Sequence, residues 1–207
     1  MPKSYIQNGV PYFAQWESKE LADDILKKRI LAVNDPKWLA SGAESPEEYA
    51  LWSWNACGMA CLKMVLAYYK KVTIPLVTLC KQCVKYGGYT FPLETSPGLY
   101  YGPFVNFVRQ TYGLQAKVIY PMILKEIVQA LAKQKLVIAS VAPEIRNPSA
   151  ISTKRGGHLV LIVGFDAQQK IIYLHNPSGN TPESQEYAQI SFNDFKKFFA
   201  NKGIIIH

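Results

Sequence analysis

Residues Ser53–Tyr69 read "SWNACGMACLKMVLAYY", and the fold turns on what the cysteine is doing there. Met59, Leu62, Val65, Leu66 and Tyr69 recur at the three- and four-residue spacing of one helix face, which predicts a helix with Cys57 and Gly58 at its start. Taken alone, Cys57 is a small apolar filler, the ordinary use of a free cysteine. At the first turn of a helix the same thiol meets unpaired N–H groups and the positive end of the helix dipole, which favour the thiolate and lower its pKa. The choice depends on whether the rest of the chain supplies a base.

Upstream, "VPYFAQ" reads as extended, and "ESKELADDILKKRIL" carries Leu21, Ile25 and Leu26 at helical spacing. Ser45 is placed to cap a short helix with Pro46 in its first position, leading towards the cysteine helix. Downstream, "IPLVTLCKQCVKYGG" predicts a helix ended by Gly87-Gly88, and "PFVNFVRQTYG" one stopped by Gly113. Between them "TFPLETSPGLYYGP" reads as a Gly/Pro-rich loop in which Tyr100 and Tyr101 are candidates to line a cleft. "LQAKVIYP" reads as a strand and "MILKEIVQALAKQK" as an amphipathic helix. The character then changes: "LVIASVAP", "GGHLVLIVGFD", "KIIYLHNP", "EYAQISF" and "GIIIH" are strand-like, with "DAQQ" as a hairpin turn. Helices followed by an antiparallel sheet are the segregated order of an α+β fold. No repeat or composition break divides the chain, so one domain over 1–207 is expected.

Composition narrows the function classes. Charged residues are 18% and aromatics 13% of 207 residues, a folded enzyme or binding domain rather than a disordered tail. The net charge of +8 comes from scattered pairs such as Lys70-Lys71 and Lys196-Lys197, without a recognition motif, so no nucleic-acid partner is expected. No apolar run has the length of a membrane span and the first residues lack a secretory core, so the default expectation is cytoplasmic, with a secreted mature form as the alternative. Four cysteines do not make a disulfide framework.

A thiol nucleophile needs a base, and the chain has three histidines, His158, His175 and His207. His158 opens a strongly apolar strand directly after Gly156-Gly157, where a substrate can approach closely. Across the hairpin, Asn176 before Pro177 is in reach to hold the imidazole in one tautomer. His175 alternates to the opposite face and reads as structural, and His207 is terminal.

Cys-Gly at a helix start, a strand opening with Gly-His and a returning strand ending in Asn-Pro resemble, in that order, the papain-like cysteine peptidases of the bacteriocin-processing type, peptidase family 39 and its stand-alone relatives. "VPYFAQ" is similar to that family's N-terminal segment, and "GGHLVLIVGFD" with "IIYLHNPSG" to its histidine hairpin. The resemblance implies a papain-like fold and a peptidase acting on a peptide or protein substrate without a cofactor. It implies Cys57 as nucleophile, His158 as general base and later acid, Asn176 as orienting residue and Gln15 as oxyanion donor. Two departures stand out. The family more often has aspartate where this chain has Asn176, and Gln15 lies far upstream of Cys57. Either the segment 16–54 is a helical insertion that leaves Gln15 in place and flanks the cleft, or another group such as Asn55 donates to the oxyanion. Acyl transfer to an amine on the same triad, and a non-catalytic peptide-binding module, are the alternative functions.

"CKQC", Cys80 to Cys83, invites a metal reading with Cys57 and Cys61, but structural zinc sites use turn-borne Cys-x-x-Cys pairs and Cys57 and Cys61 are a helical turn apart. No metal is expected. "SPGLYYGP" is not followed by Gly-Lys-Ser/Thr, so it is no phosphate loop.

Overall fold

The computed structural model describes residues 2–93, 98–152 and 154–207. The cysteine helix, α3 (Cys57–Lys70), follows α1 (Ala22–Leu26) and α2 (Pro46–Ser53) and precedes α4 (Leu76–Val84) and α5 (Tyr101–Tyr112). Every residue of α3 from Gly58 to Leu66 is buried, so the helix is wrapped on all sides rather than lying on a surface. Its one buried cation, Lys63, faces Glu17 Oε1 at 3.5 Å and lies over the Phe13 ring at 4.8 Å. Full burial of Met59, Leu62 or Leu66 is worth about 1.5–3 kcal/mol each.

The helices rest on an antiparallel sheet of seven strands: β1 (Ser4–Ile6), β2 (Ala116–Ile119), β3 (Leu136–Val141), β4 (His158–Asp166), β5 (Ile171–His175), β6 (Ala188–Ser191) and β7 (Phe199–Ile206). The order is β2-β7-β3-β4-β5-β6, and β1 pairs with the far end of β4 beyond the reach of β3. Period-two alternation splits the core into two layers. Leu136, Ile138, Leu159, Leu161 and Val163 pack with α2 to α5 on one face. Val137, Ala139, Val160, Ile162, Ile172 and Leu174 pack on the other with α6 (Leu124–Ala132) and α8 (Phe192–Phe198). A short α7 (Pro182–Gln185) follows β5. The fold is the mixed helix and antiparallel sheet arrangement that the resemblance implies, with the cysteine at a helix start, the histidine opening β4 and the asparagine just past the end of β5.

Several expectations are corrected. "VPYFAQ", read as extended, does not join the sheet: the N-terminal strand is Ser4–Ile6, and residues 10–15 run without ladder pairing. Pro11 has no N–H to give a ladder, and the Gln15 N–H bonds instead to the Pro177 carbonyl at 2.9 Å. The helix expected over residues 17–31 shrinks to a 3₁₀ turn at Lys19–Leu21 and α1, ending where Lys28 takes φ 57°. The interior of that segment is organised by buried Asp35, which accepts from Ser18 N–H at 3.1 Å, Ser18 Oγ at 2.6 Å and the Tyr49 hydroxyl. Helix α5 begins at Tyr101, and helix α8 between β6 and β7 was not expected at all. The loop read over residues 90–103 falls partly outside the described residues. Ser45 caps α2 as expected, accepting from Glu48 N–H, and the hairpin turns through Asp166, whose Oδ1 accepts from Gln168 and Gln169 N–H at 2.8 Å.

Candidate active site

Cys57 is the first residue of α3 and is half-buried. Gly58 follows because there is no room for a side chain: a Cβ would lie 2.6 Å from Leu99 and 2.9 Å from Leu159. The helix start can therefore press against the opening of β4, where His158 stands. Gly156 and Gly157, at φ 90° and 93°, turn the chain into that strand in a conformation other residues resist. Cys57 and His158 line one cavity of about 140 Å³ together with Trp54, Asn55, Tyr101, Ser140 and Lys202.

His158 is buried, and its Nε2 lies 2.8 Å from Asn176 Oδ1. The tautomer follows from a neighbouring donor whose role is not in question. Ser178 N–H points at the same Asn176 oxygen at 3.1 Å, so that atom must be the carbonyl oxygen and His158 Nε2 must carry the proton. The neutral ring then keeps its lone pair on Nδ1. Ser178 Oγ lies 3.0 Å from Nε2 and accepts from Arg146 Nη2 at 2.9 Å, extending the anchor to a half-buried guanidinium. Tyr12 fixes the backbone beneath by donating to the Asn176 carbonyl at 2.9 Å.

Charge at rest differs from the sequence expectation of a thiol lowered by its helix. Burial pushes the Cys57 thiol up, and the N–H groups of Leu159, Gly58 and Cys57 only partly offset it. Burial likewise pushes His158 down to about 4, the Asn176 hydrogen bond acting upward and the Arg146 charge downward. Desolvation disfavours both charged forms, so this resting arrangement favours neutral thiol beside neutral imidazole.

Gln15 is brought near but not into the cavity lining. Its Nε2 donates to the Ser53 carbonyl at 2.9 Å, its Oε1 is buried without a partner, and its backbone is tied to Pro177. Asn55 does line the cavity, with Nδ2 donating to the Leu51 carbonyl at 3.1 Å. Tyr101 lines it too, whereas Tyr100 is exposed. His175 is fully buried between Tyr12 and Tyr187, with ring centroids at 5.8 and 4.5 Å, and takes the Tyr187 N–H on Nδ1 at 3.3 Å. Cys61, Cys80 and Cys83 are core residues, and among the described residues no group of three or more His, Cys, Asp or Glu side chains is arranged to hold a metal ion. A larger cavity of about 680 Å³, between α6 and β2, carries none of the site residues expected from the sequence.

Sequence reasoning missed Ser178, Arg146 and Lys202. A signal for the first existed: in Asn176-Pro177-Ser178 an asparagine side chain takes the N–H two residues on, an Asx turn that places the serine beside it.

A family model described as the Peptidase_C39 like family matches residues 7–203. Among solved structures, a putative C39-like peptidase from Bacillus anthracis superposes with a TM-score of 0.59 at 13% identity, covering 99% of this chain and 97% of that one. The peptidase domain of Streptococcus ComA, a bi-functional ABC transporter involved in a quorum-sensing pathway, gives 0.48 at 14% identity, covering 73% of this chain and 90% of that domain. No curated protein sequence matches. No helix among the described residues is long and apolar enough to cross a membrane. The family match runs from the end of the first strand into the last, across both the helix that begins with Cys57 and the hairpin that carries His158, so the chain belongs to the Peptidase_C39-like family, whose fold and description support a cysteine peptidase in general.

Proposed function

We propose that the protein hydrolyses peptide bonds through a thioester on Cys57, with His158 as base and acid and Asn176 orienting it. The observation that carries this reading is the 2.8 Å bond from His158 Nε2 to Asn176, which keeps the Nδ1 lone pair for proton transfer on a residue that lines the same cavity as Cys57. The Cys57 sulfur attacks the scissile carbonyl carbon while Nδ1 takes the thiol proton. The resulting oxyanion sits at the start of α3, where the Cys57 N–H has no partner within the helix. The C–N bond then breaks, His158 returns its proton to the leaving amine, and water repeats the sequence on the thioester to release the acid and the thiol. With burial pushing the thiol up and the imidazole down, proton transfer in this reading accompanies attack rather than preceding it.

Gln15 is the second oxyanion donor in this reading, through the Nε2 hydrogen not used on Ser53. The segment 16–54 is then an insertion in a single domain spanning 1–207. In support, its end residues meet, Trp16 and Trp54 packing edge to face at 5.2 Å, so Gln15 returns beside Ser53 as though the intervening residues were absent.

The test is labelling with iodoacetamide followed by peptide mapping, alongside turnover of a peptide library. Modification at Cys57 with loss of turnover is expected. Full turnover with Cys57 alkylated would overturn the reading.

A further inference from the structure

We infer that Lys202 selects substrates bearing an aspartate or glutamate close to the scissile bond, an inference that rests on the peptidase reading above. Lys202 is the one charged side chain among the described residues that line the cavity of Cys57 and His158. It comes from the opposite end of the chain, and the fold goes out of its way to bring it there. Where β7 runs beside β3, Ala139 pairs with Gly203 but Val141 pairs with Phe199, so β7 carries extra residues between these pairs. The chain bulges through Ala200–Lys202, with Asn201 at φ 54° and its carbonyl held by Met122 N–H at 2.7 Å. A bulge re-aims side chains, and this one lies against the Gly156-Gly157 turn, where a Cβ on Gly156 would meet Ala200 at 3.3 Å and Ser140 at 3.2 Å.

The ammonium is held rather than neutralised. It lies 4.9 Å from the centroid of the Tyr101 ring, itself a cavity wall, and no described carboxylate pairs with it. Lys19 and Lys71 also lie over tyrosine rings, Tyr12 and Tyr68, but neither lines the cavity of Cys57 and His158; what sets Lys202 apart is that place. A cation kept over an aromatic face at the rim of a small cleft is a receptor for a carboxylate, and the cavity of about 140 Å³ has room for one side chain. The rest of the lining is neutral at rest, so a lysine or arginine of the substrate would meet only repulsion there.

The experiment is to digest one proteome-derived peptide library with the wild type and with Lys202→Met, Lys202→Arg and Lys202→Glu, reading the residues flanking each cut by mass spectrometry. In the wild type, Asp and Glu are expected to be enriched roughly fivefold over Asn and Gln at one fixed position beside the cut, the scale of a partly exposed ion pair. Lys202→Arg should keep the enrichment, Lys202→Met should erase it, and Lys202→Glu should replace it with enrichment of Lys and Arg at the same position. Identical flanking profiles in all four proteins would overturn the inference while leaving the peptidase reading in place. An absence of cleavage by the wild type would overturn the peptidase reading and this inference with it.

Discussion

His158 opens one strand of a hairpin and His175 closes the other, both at the end away from the turn and both buried, and in both burial presses the imidazole down to about 4. They differ in what surrounds them. His158 opens onto a cavity and is anchored on its inner nitrogen by Asn176 and Ser178, whereas His175 is sealed between Tyr12 and Tyr187 with Nε2 left without a partner. Desolvation alone therefore does not make a catalytic imidazole. In the proposed function it is the anchored nitrogen, together with a place on the cavity that Cys57 also lines, that sets His158 apart, and the two sites can be distinguished by experiment.

The largest effect is expected at the nucleophile and the ring that deprotonates it. Cys57→Ala and His158→Ala should each lower kcat/KM by roughly 10³-fold or more with the far-ultraviolet spectrum unchanged. Cys61→Ala, whose thiol is buried beside the Leu159 carbonyl, should stay active. An active Cys57→Ala protein would remove the basis of the comparison.

Next come the anchors of the His158 ring. Asn176→Ala frees the imidazole to rotate and should cost roughly 10²-fold in kcat/KM, the scale of a small misplacement of a reacting group. Asn176→Asp keeps the orientation and adds a negative charge that favours imidazolium. With the neutral ring as the proposed base, wild-type kcat/KM should fall only as pH drops through about 4, and the Asp variant should show that acid limb at higher pH. Coincident pH profiles would reduce Asn176 to a turn residue.

A smaller effect is expected at Ser178. Ser178→Ala removes one hydrogen bond to Nε2 and the partner of Arg146, about 1 kcal/mol, or roughly fivefold in rate. A loss as large as that of Asn176→Ala would make the serine the main anchor.

The smallest effect on rate belongs to His175. His175→Gln should leave kcat/KM within about twofold but change how stability depends on pH. The folded pKa is about 4 and the unfolded value about 6.5, so between them the unfolded chain binds the extra proton and stability falls as pH falls. Removing the ring should flatten that decline by about 1.4 kcal/mol per pH unit in denaturant titrations between pH 4 and 6.5. An unchanged slope would mean that His175 is already charged in the folded protein.

Much of this was legible before any coordinates. Apolar spacing alone locates α3 from Cys57 onward, the Ser45-Pro46 pair marks the start of α2, and Asp166 announces the turn that folds His158 and Asn176 towards one another. Such features are local: capping, periodicity and turn chemistry act over a few residues, and a sequence displays them directly. The extended segment "VPYFAQ" shows the limit, because whether such a segment joins a sheet depends on which distant carbonyl takes its N–H, here Pro177 for Gln15.

The tertiary structure alone decided the direction in which the thiol's pKa moves, the Arg146–Ser178 anchor and the entry of Lys202 into the cavity. The first depends on how far distant elements desolvate the half-buried Cys57, and that desolvation outweighs the helix start on which the sequence argument relied. The second joins the turn after β3 to the turn after β5. The third depends on a register shift between β3 and β7, and pairing register is set by the sheet as a whole rather than by either strand.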